Sequence, residues 1–274
     1  MLSWLLDPLQ FNFIIRAMIA AIMVGIICPV LGTYVVLRGM TFFSEALSHT
    51  ILPGVAAAFL LGWPLTVGAL FVGLFTAIGI GVLTERGGIK EDSATGIIYV
   101  GMFALGIAML SASQSYTIDL AHFLFGNILG VSRSDLWVIA GLGGVVLLTI
   151  FFFYKELLII SFDPILAVTL RLPTTFFRYL LLILIAITVV AGLQVVGISL
   201  TIAMIVTPPA TAALLTRRLP SMMGLAALIG IFSGIVGLYA SFYLNIASGA
   251  AIVLTVTLIF IVVFSIVRGR EIIG

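Results

Sequence analysis

The chain is poor in the groups on which most soluble chemistry depends. Its 274 residues include one cysteine, two histidines, twelve Lys and Arg and ten Asp and Glu, so charged side chains make up only 8%. A soluble domain carries about 25%. The lone Cys28 excludes an intrachain disulfide and a cysteine-rich metal cage, and its place inside an apolar run says nothing of redox compartment. No G-x-x-x-x-G-K-[ST] segment is present, so the chain has no P-loop with which to cradle ATP. There is no Gly-x-Ser-x-Gly elbow either, and Ser48 and His49, being adjacent, point to different helix faces, which argues against a serine hydrolase. The cations are dispersed at the ends of apolar runs, so the net charge of +2 and the pI near 8.9 offer no nucleic-acid surface. The opening segment MLSWLLDPLQFNFIIR lacks the basic n-region and cleavage site of a removable signal and reads as retained.

What is abundant is apolar surface: 63% of residues are hydrophobic and the mean hydropathy is +1.38. A single bilayer crossing needs about 20 apolar residues. Uncharged runs of that order extend over Ala17–Leu37, Ala46–Gly62, Pro64–Thr84, Ser93–Ser111 and Leu136–Tyr154. Tyr179–Thr216 and Leu219–Val267 are each too long for one crossing and should divide, the first near Gly192–Gly197 and the second near Asn245–Gly249. The prediction is an all-α, polytopic transmembrane bundle of nine helices, or eight if one segment only lies at the interface, forming a single domain over residues 1–274. No length remains for a soluble catalytic domain, so any such machinery must come from partners.

An odd number of crossings puts the termini on opposite sides, and the positive-inside rule chooses between the two arrangements. With the N-terminus outside and the C-terminus cytoplasmic, Arg38, Arg86, Lys90, Lys155, Arg171, Arg178, Arg217, Arg218, Arg268 and Arg270 fall inside, leaving only Arg16 and Arg133 outside. Two connections are more than turns. The outer one contains DLAHFLFGNILG, too short to span and suited to a re-entrant or interface helix. The inner one contains SFDPILAVTLRLP, where Asp163 can cap a short helix that begins at Pro164 and closes at Leu172-Pro173.

The groups able to do chemistry are few. Glu45 and His49 stand at i and i+4, so a helix places both on one face. An ionisable group at membrane depth costs at least a few kcal/mol unless it meets water, a partner or the bundle interior. Imidazole with carboxylate suits a borderline divalent metal better than an alkali ion or an organic solute. The plainer alternative keeps Glu45 at headgroup level near the positive helix end and gives His49 a neighbouring carbonyl. Two ligands are too few for tight binding, but a pore site must release its ion, and a second copy of the helix across a two-fold axis would supply four.

Three further features have two readings each. Pro208-Pro209 should kink or break the seventh crossing, serving either as a flexing element beside a pathway or as a static packing kink. Asp119 and His122 could attract a metal or contact a delivery protein, against ordinary loop polarity. The glycines, among them Gly54, Gly68, Gly73, Gly79 and Gly81, fit close helix packing rather than phosphate binding.

The stretch LRGMTFFSEALSHTILPGVAAAF resembles the second helix of the membrane permeases of ATP-binding-cassette importers for manganese, zinc and iron, whose usual form is R-x-M-S-x-x-x-D-A-x-x-H-x-x-L-P-G. DLAHFLFGNILGVS, FDPILAVTLRLP and QVVGISLTIAMIVTPPATAALL continue the resemblance in order over nearly the whole chain. It implies that Glu45 and His49 line metal passage, with Glu standing where the family usually has Asp. It also implies a coupling helix at Asp163, Pro164, Ala167, Leu170 and Leu172 that docks a cytosolic ATPase. On that reading the chain is itself no enzyme and carries no covalently bound cofactor. The expected partners are a second permease chain in a homodimer, two cytosolic ATP-binding subunits, an extracytoplasmic metal-binding protein and the lipid of a prokaryotic plasma membrane. The cargo is Mn²⁺, then Zn²⁺ or Fe²⁺. An ion-gradient-driven metal transporter, needing no ATPase, is the alternative.

Overall fold

The computed structural model describes residues 7–112 and 128–273, so Asp119 and His122 lie outside the described residues. Every regular element among the described residues is helical. After a 3-10 turn at Pro8–Gln10, the long helices are α1 (Asn12–Leu37), α4 (Leu65–Gly87), α5 (Glu91–Ala112) and α6 (Arg133–Phe152), followed by α9 (Thr174–Val196), α10 (Ile198–Leu215), α11 (Leu219–Leu244) and α12 (Ser248–Ile273). Shorter helices are α2 (Thr41–Thr50), α3 (Leu52–Leu61), α7 (Tyr154–Phe162) and α8 (Pro164–Thr169). Counting α2 and α3 as one crossing, the described residues contain nine helical segments long and apolar enough to span a membrane.

The interruptions follow from local chemistry. Pro53 has no N–H to offer the His49 carbonyl, and the second crossing breaks at Ile51, a division the sequence reading does not anticipate. Gly62, at φ +68°, ends α3 in a left-handed residue, with the Trp63 N–H donating to the Ala58 carbonyl at 2.8 Å. Gly197 (φ +82°) separates α9 from α10, and Asn245 (φ +53°) closes α11, both where the sequence calls for turns. The inner helix begins at Pro164 as expected but stops at Thr169 rather than Leu172. Pro173 cannot donate to the Thr169 carbonyl and steers Leu172 away from helix, while Arg171 turns left-handed at φ +54°. α7 is an addition, continuing past the predicted end of the fifth apolar run.

The chain forms two compact units. Among the described residues, one comprises 7–36, 128–147 and 192–273; the other comprises 37–112 and 148–191. In the first, α10, α11 and α12 pack on one another. Helix α1 joins them through small residues: a Cβ on Gly25 would stand 2.9 Å from the Gly230 carbonyl carbon, and one on Gly32 would fall on the Ile205 carbonyl. That second contact has a chemical cause. Helix α10 runs unbroken through Pro208 and Pro209, and Pro209 leaves the Ile205 carbonyl without its usual N–H donor. The side-chain-free Gly32 lets α1 approach that carbonyl, a geometry suited to a Cα–H···O contact.

In the second unit, α2, α3, α4 and α5 pack mutually. Gly54 of α3 and Gly68 of α4 meet reciprocally, each backbone carbonyl occupying the place of the other's missing Cβ. The second crossing is the centre of this unit: 67% of its apolar stretch is buried, against 17% for α5. Polar groups on its buried side are satisfied internally, with the Ser48 hydroxyl donating to the Ser44 carbonyl at 3.1 Å and Thr50 to the Leu47 carbonyl at 3.0 Å. Helix α9 is tied on by Tyr179, whose ring rests against Gly81, and by polar pairs near its start. Arg178 donates to Glu91 at 2.8 Å and Thr175 to Glu85 at 3.0 Å.

Candidate functional site

Glu45 and His49 lie on α2, one turn apart, on the opposite side from the buried Phe43 and Leu47. Glu45 is exposed and His49 half-buried. No hydrogen bond or ion pair to either side chain is found among the described residues. The imidazole is not free, however. Its ring lies 5.6 Å from that of Tyr99, inclined at 50°, and 5.7 Å from that of Phe103, nearly edge-on at 83°. Those aromatics, on the facing helix α5, are residues the sequence reading missed; their i, i+4 spacing puts them on one face but does not say which neighbour that face meets.

The hydrogen-bonding state of the neighbouring serine bears on the chemistry open to this site. Ser48 is 1% exposed and its hydroxyl is committed to the Ser44 carbonyl, so it is not presented as a nucleophile beside His49. The arrangement instead offers an anionic oxygen and a neutral-capable nitrogen to something arriving from the open side. No group of three or more His, Cys, Asp or Glu able to hold a metal occurs among the described residues. Among the described residues, then, no third side chain of these types joins Glu45 and His49.

Near the base of the second unit, Arg38, Gly39, Met40 and Phe43 line a polar recess of about 250 Å³ with Lys90, Glu91 and Asp92. Burial pushes the Arg38 guanidinium below the usual arginine range, while Glu91 opposes that shift and Arg178 adds to it. One Arg38 terminal nitrogen, Nη1, is buried without a hydrogen-bond partner.

The short helix expected after Asp163 is present as α8. The Asp163 carboxylate caps it, accepting the Leu166 N–H at 2.9 Å. Ala167 is fully buried and Leu172 half-buried, while Ile165 (81% exposed), Leu166, Val168 and Leu170 form the outward apolar surface. Of the residues singled out from the sequence, Leu170 belongs to that surface and Ala167 does not. Pro208 and Pro209 are both buried in a continuous α10, where Pro209 lies against Gly32 of α1.

Residues 10–267 match the ABC 3 transport family. The chain belongs to that family. It is one of the family's helical membrane permeases, and its similarity to relatives extends over almost its full length. It is 46% identical over 256 residues to the manganese transport system membrane protein MntC of Halalkalibacterium halodurans, covering 93% of this chain and 88% of that one. It is 38% identical over 260 residues to the chelated iron transport system membrane protein YfeD of Yersinia pestis, covering 95% and 87% respectively. The solved structure of PsaBC from Streptococcus pneumoniae in complex with Fab superimposes with a TM-score of 0.85 at 41% identity, covering 96% of this chain and 95% of that one.

Proposed function

We propose that this permease conducts a divalent transition metal, Mn²⁺ before Zn²⁺ or Fe²⁺, and that Glu45 and His49 bind the ion transiently as access alternates. The observation that carries the proposal is the pair itself: two ligand-type side chains one turn apart, without polar partners among the described residues, on a crossing of whose apolar stretch 67% is buried. Family membership favours ATP-driven import over the gradient-driven alternative, and the relatives named for manganese and iron transport favour these cargoes.

The two-residue site fits a dimer of permease chains, identical in the simplest arrangement, in which a second copy contributes another carboxylate and imidazole. Residues 1–274 act as one permease domain in a prokaryotic plasma membrane, with the N-terminus outside and the C-terminus cytoplasmic. Two cytosolic ATP-binding subunits dock on α8, whose exposed Ile165, Leu166, Val168 and Leu170 offer apolar contact beside Asp163. ATP binds on those subunits. An extracytoplasmic metal-binding protein delivers the ion at the outer mouth, where Asp119 and His122 are candidates for contact. Pro208 and Pro209 give α10 a segment of weakened internal bonding that can flex during the cycle.

Metal uptake into vesicles containing the permease and its ATPase tests this reading. Glu45→Ala and His49→Ala should each abolish uptake while leaving the assembled complex and its basal ATP hydrolysis intact. Unchanged uptake in both variants would remove the site assignment, and uptake without any ATPase would remove the ATP-driven mechanism.

A further inference from the structure

A histidine that binds metal must hold its ring in one orientation, and the usual device is a hydrogen bond from the second ring nitrogen to a carboxylate or carbonyl. His49 has no such bond among the described residues. It also sits on the last turn of α2, just before the interruption at Ile51, where the backbone constrains it less than a mid-helix position would. What does touch the ring is aromatic. Tyr99 and Phe103 lie one helical turn apart on α5, their centroids 6.0 Å from each other, and each comes within 6 Å of the imidazole centroid. The Tyr99 and Phe103 rings are themselves only half-buried, so they form a wall at the site rather than part of the packed core.

We propose that Tyr99 and Phe103 are positioning residues for transport: their rings fix the His49 imidazole so that it meets the passing cation with a nitrogen at a set place. The proposal rests on the Glu45 and His49 reading. Aromatic pairs prefer tilted and edge-on contacts over a face-to-face sandwich, and both observed inclinations, 50° and 83°, belong to that preferred set. Packing thus replaces the missing hydrogen bond. Because no proton is tied to a partner, either ring nitrogen remains available, and the ring can release its ion without rearranging a polar network. This suits passage better than storage.

The expected signature is a loss of affinity with turnover retained. In the complete permease–ATPase complex reconstituted in vesicles, Phe103→Ala and Phe103→Leu should raise the KM for Mn²⁺ uptake about tenfold, the lower end expected for removing an outer support of a ligand. Maximal uptake at saturating Mn²⁺ should change less than about twofold, because the ligands themselves remain. Phe103→Tyr, which keeps the ring, should restore the wild-type KM. Tyr99→Phe should be silent and Tyr99→Ala should resemble Phe103→Ala. The chain has only two histidines, so when the permease alone is His-labelled before assembly its ring resonances can be assigned with His122→Gln. The His49 ring protons should show ring-current shifts that Phe103→Leu reduces and Phe103→Tyr preserves.

An unchanged KM in Phe103→Leu, or failure of Phe103→Tyr to rescue, would overturn the proposal. So would a Tyr99→Phe variant as impaired as Tyr99→Ala, which would make the hydroxyl a ligand. If His49→Ala itself transports normally, the imidazole has no part in passage and the proposal falls; if Glu45→Ala does so as well, the site assignment fails with it. If His49→Ala is dead while the aromatic variants are normal, only the proposal fails.

Discussion

Replacing Gly32 with alanine should loosen α1 from α10, with an effect out of proportion to one methyl group. The new Cβ would fall on the Ile205 carbonyl oxygen, 2.8 Å from its carbon and 2.9 Å from the Pro209 ring Cγ. Carbon atoms normally approach to about 3.5–4.0 Å, so α1 must retreat by roughly 1 Å. Neither obstacle can rotate away, since one is helix backbone and the other a proline ring. Overpacking of this kind costs about 1–3 kcal/mol, and separation also weakens the Cα–H···O contact, worth about 0.5–1 kcal/mol. Better helix propensity returns roughly 1 kcal/mol. The net expectation is about 2 kcal/mol of destabilisation, or a Tm lower by about 4–8 °C on the scale of a chain this size.

Cys28 provides the assay, because the only cysteine lies one turn from Gly32 on α1 and is 1% exposed. A thiol-reactive fluorophore should label it at lower temperature in Gly32→Ala than in wild type. Gly141→Ala, on α6 with open space around its Cβ position, should be neutral or slightly stabilised. Adding Pro209→Ala to Gly32→Ala should recover little, since the carbonyl remains in place. Equal melting of Gly32→Ala and Gly141→Ala would refute the reasoning, as would full recovery in the double variant.

Gly54→Ala and Gly68→Ala should each destabilise the second unit, because each Cβ meets the other helix's carbonyl. The Val72 Cγ2 at 2.7 Å from the Gly54 position adds to the clash, and protease resistance compared with Gly96→Ala, which meets nothing within 4 Å, checks it. Glu91→Ala should cost more than Arg178→Ala, about 2 against about 1 kcal/mol, since it leaves two guanidinium groups, Arg38 and Arg178, without their shared carboxylate. Thermal unfolding of both variants at low and high salt will show whether the order holds. Asp163→Ala should cost α8 about 1 kcal/mol of capping and reduce transport per ATP hydrolysed while leaving the KM for Mn²⁺ unchanged; an altered KM with normal coupling would contradict the docking role. Pro209→Ala supplies the N–H that the Ile205 carbonyl lacks and should reduce uptake several-fold if α10 flexes there, with little change in stability; normal uptake would reduce the proline pair to packing.

The candidate ligands were legible because charge is so scarce. In a chain with 8% charged residues, a carboxylate and an imidazole at helical spacing inside an apolar run stand out without any knowledge of the fold. The aromatic wall was not legible in the same way. Tyr99 and Phe103 are two among 11% aromatic residues, and nothing in α5 distinguishes the face that meets α2 from the face that meets lipid. The polar link from Arg178 to Glu91 joins residues 87 positions apart, beyond the reach of any local pattern. The break at Ile51 is an intermediate case, since Pro53 announces the missing N–H but surrounding contacts decide how far the helix yields.

The amino-acid sequence by itself determined that the chain has about nine segments able to cross a membrane, that its longest apolar stretches divide near Gly192–Gly197 and Asn245–Gly249, and that Asp163 caps a short helix, and it singled out Glu45 and His49 as candidate ligands. These follow from bilayer thickness, backbone chemistry and the cost of charge in hydrocarbon, all of which act locally. Tertiary structure alone decided which glycines meet a neighbouring backbone, that Gly32 receives the carbonyl freed by Pro209, that Ala167 turns inward, and that Tyr99 and Phe103 enclose His49. The physical reason is that lipid is as apolar as the protein interior, so these helices carry no hydrophobic stripe to mark their inner face. Only the packed helices themselves select it.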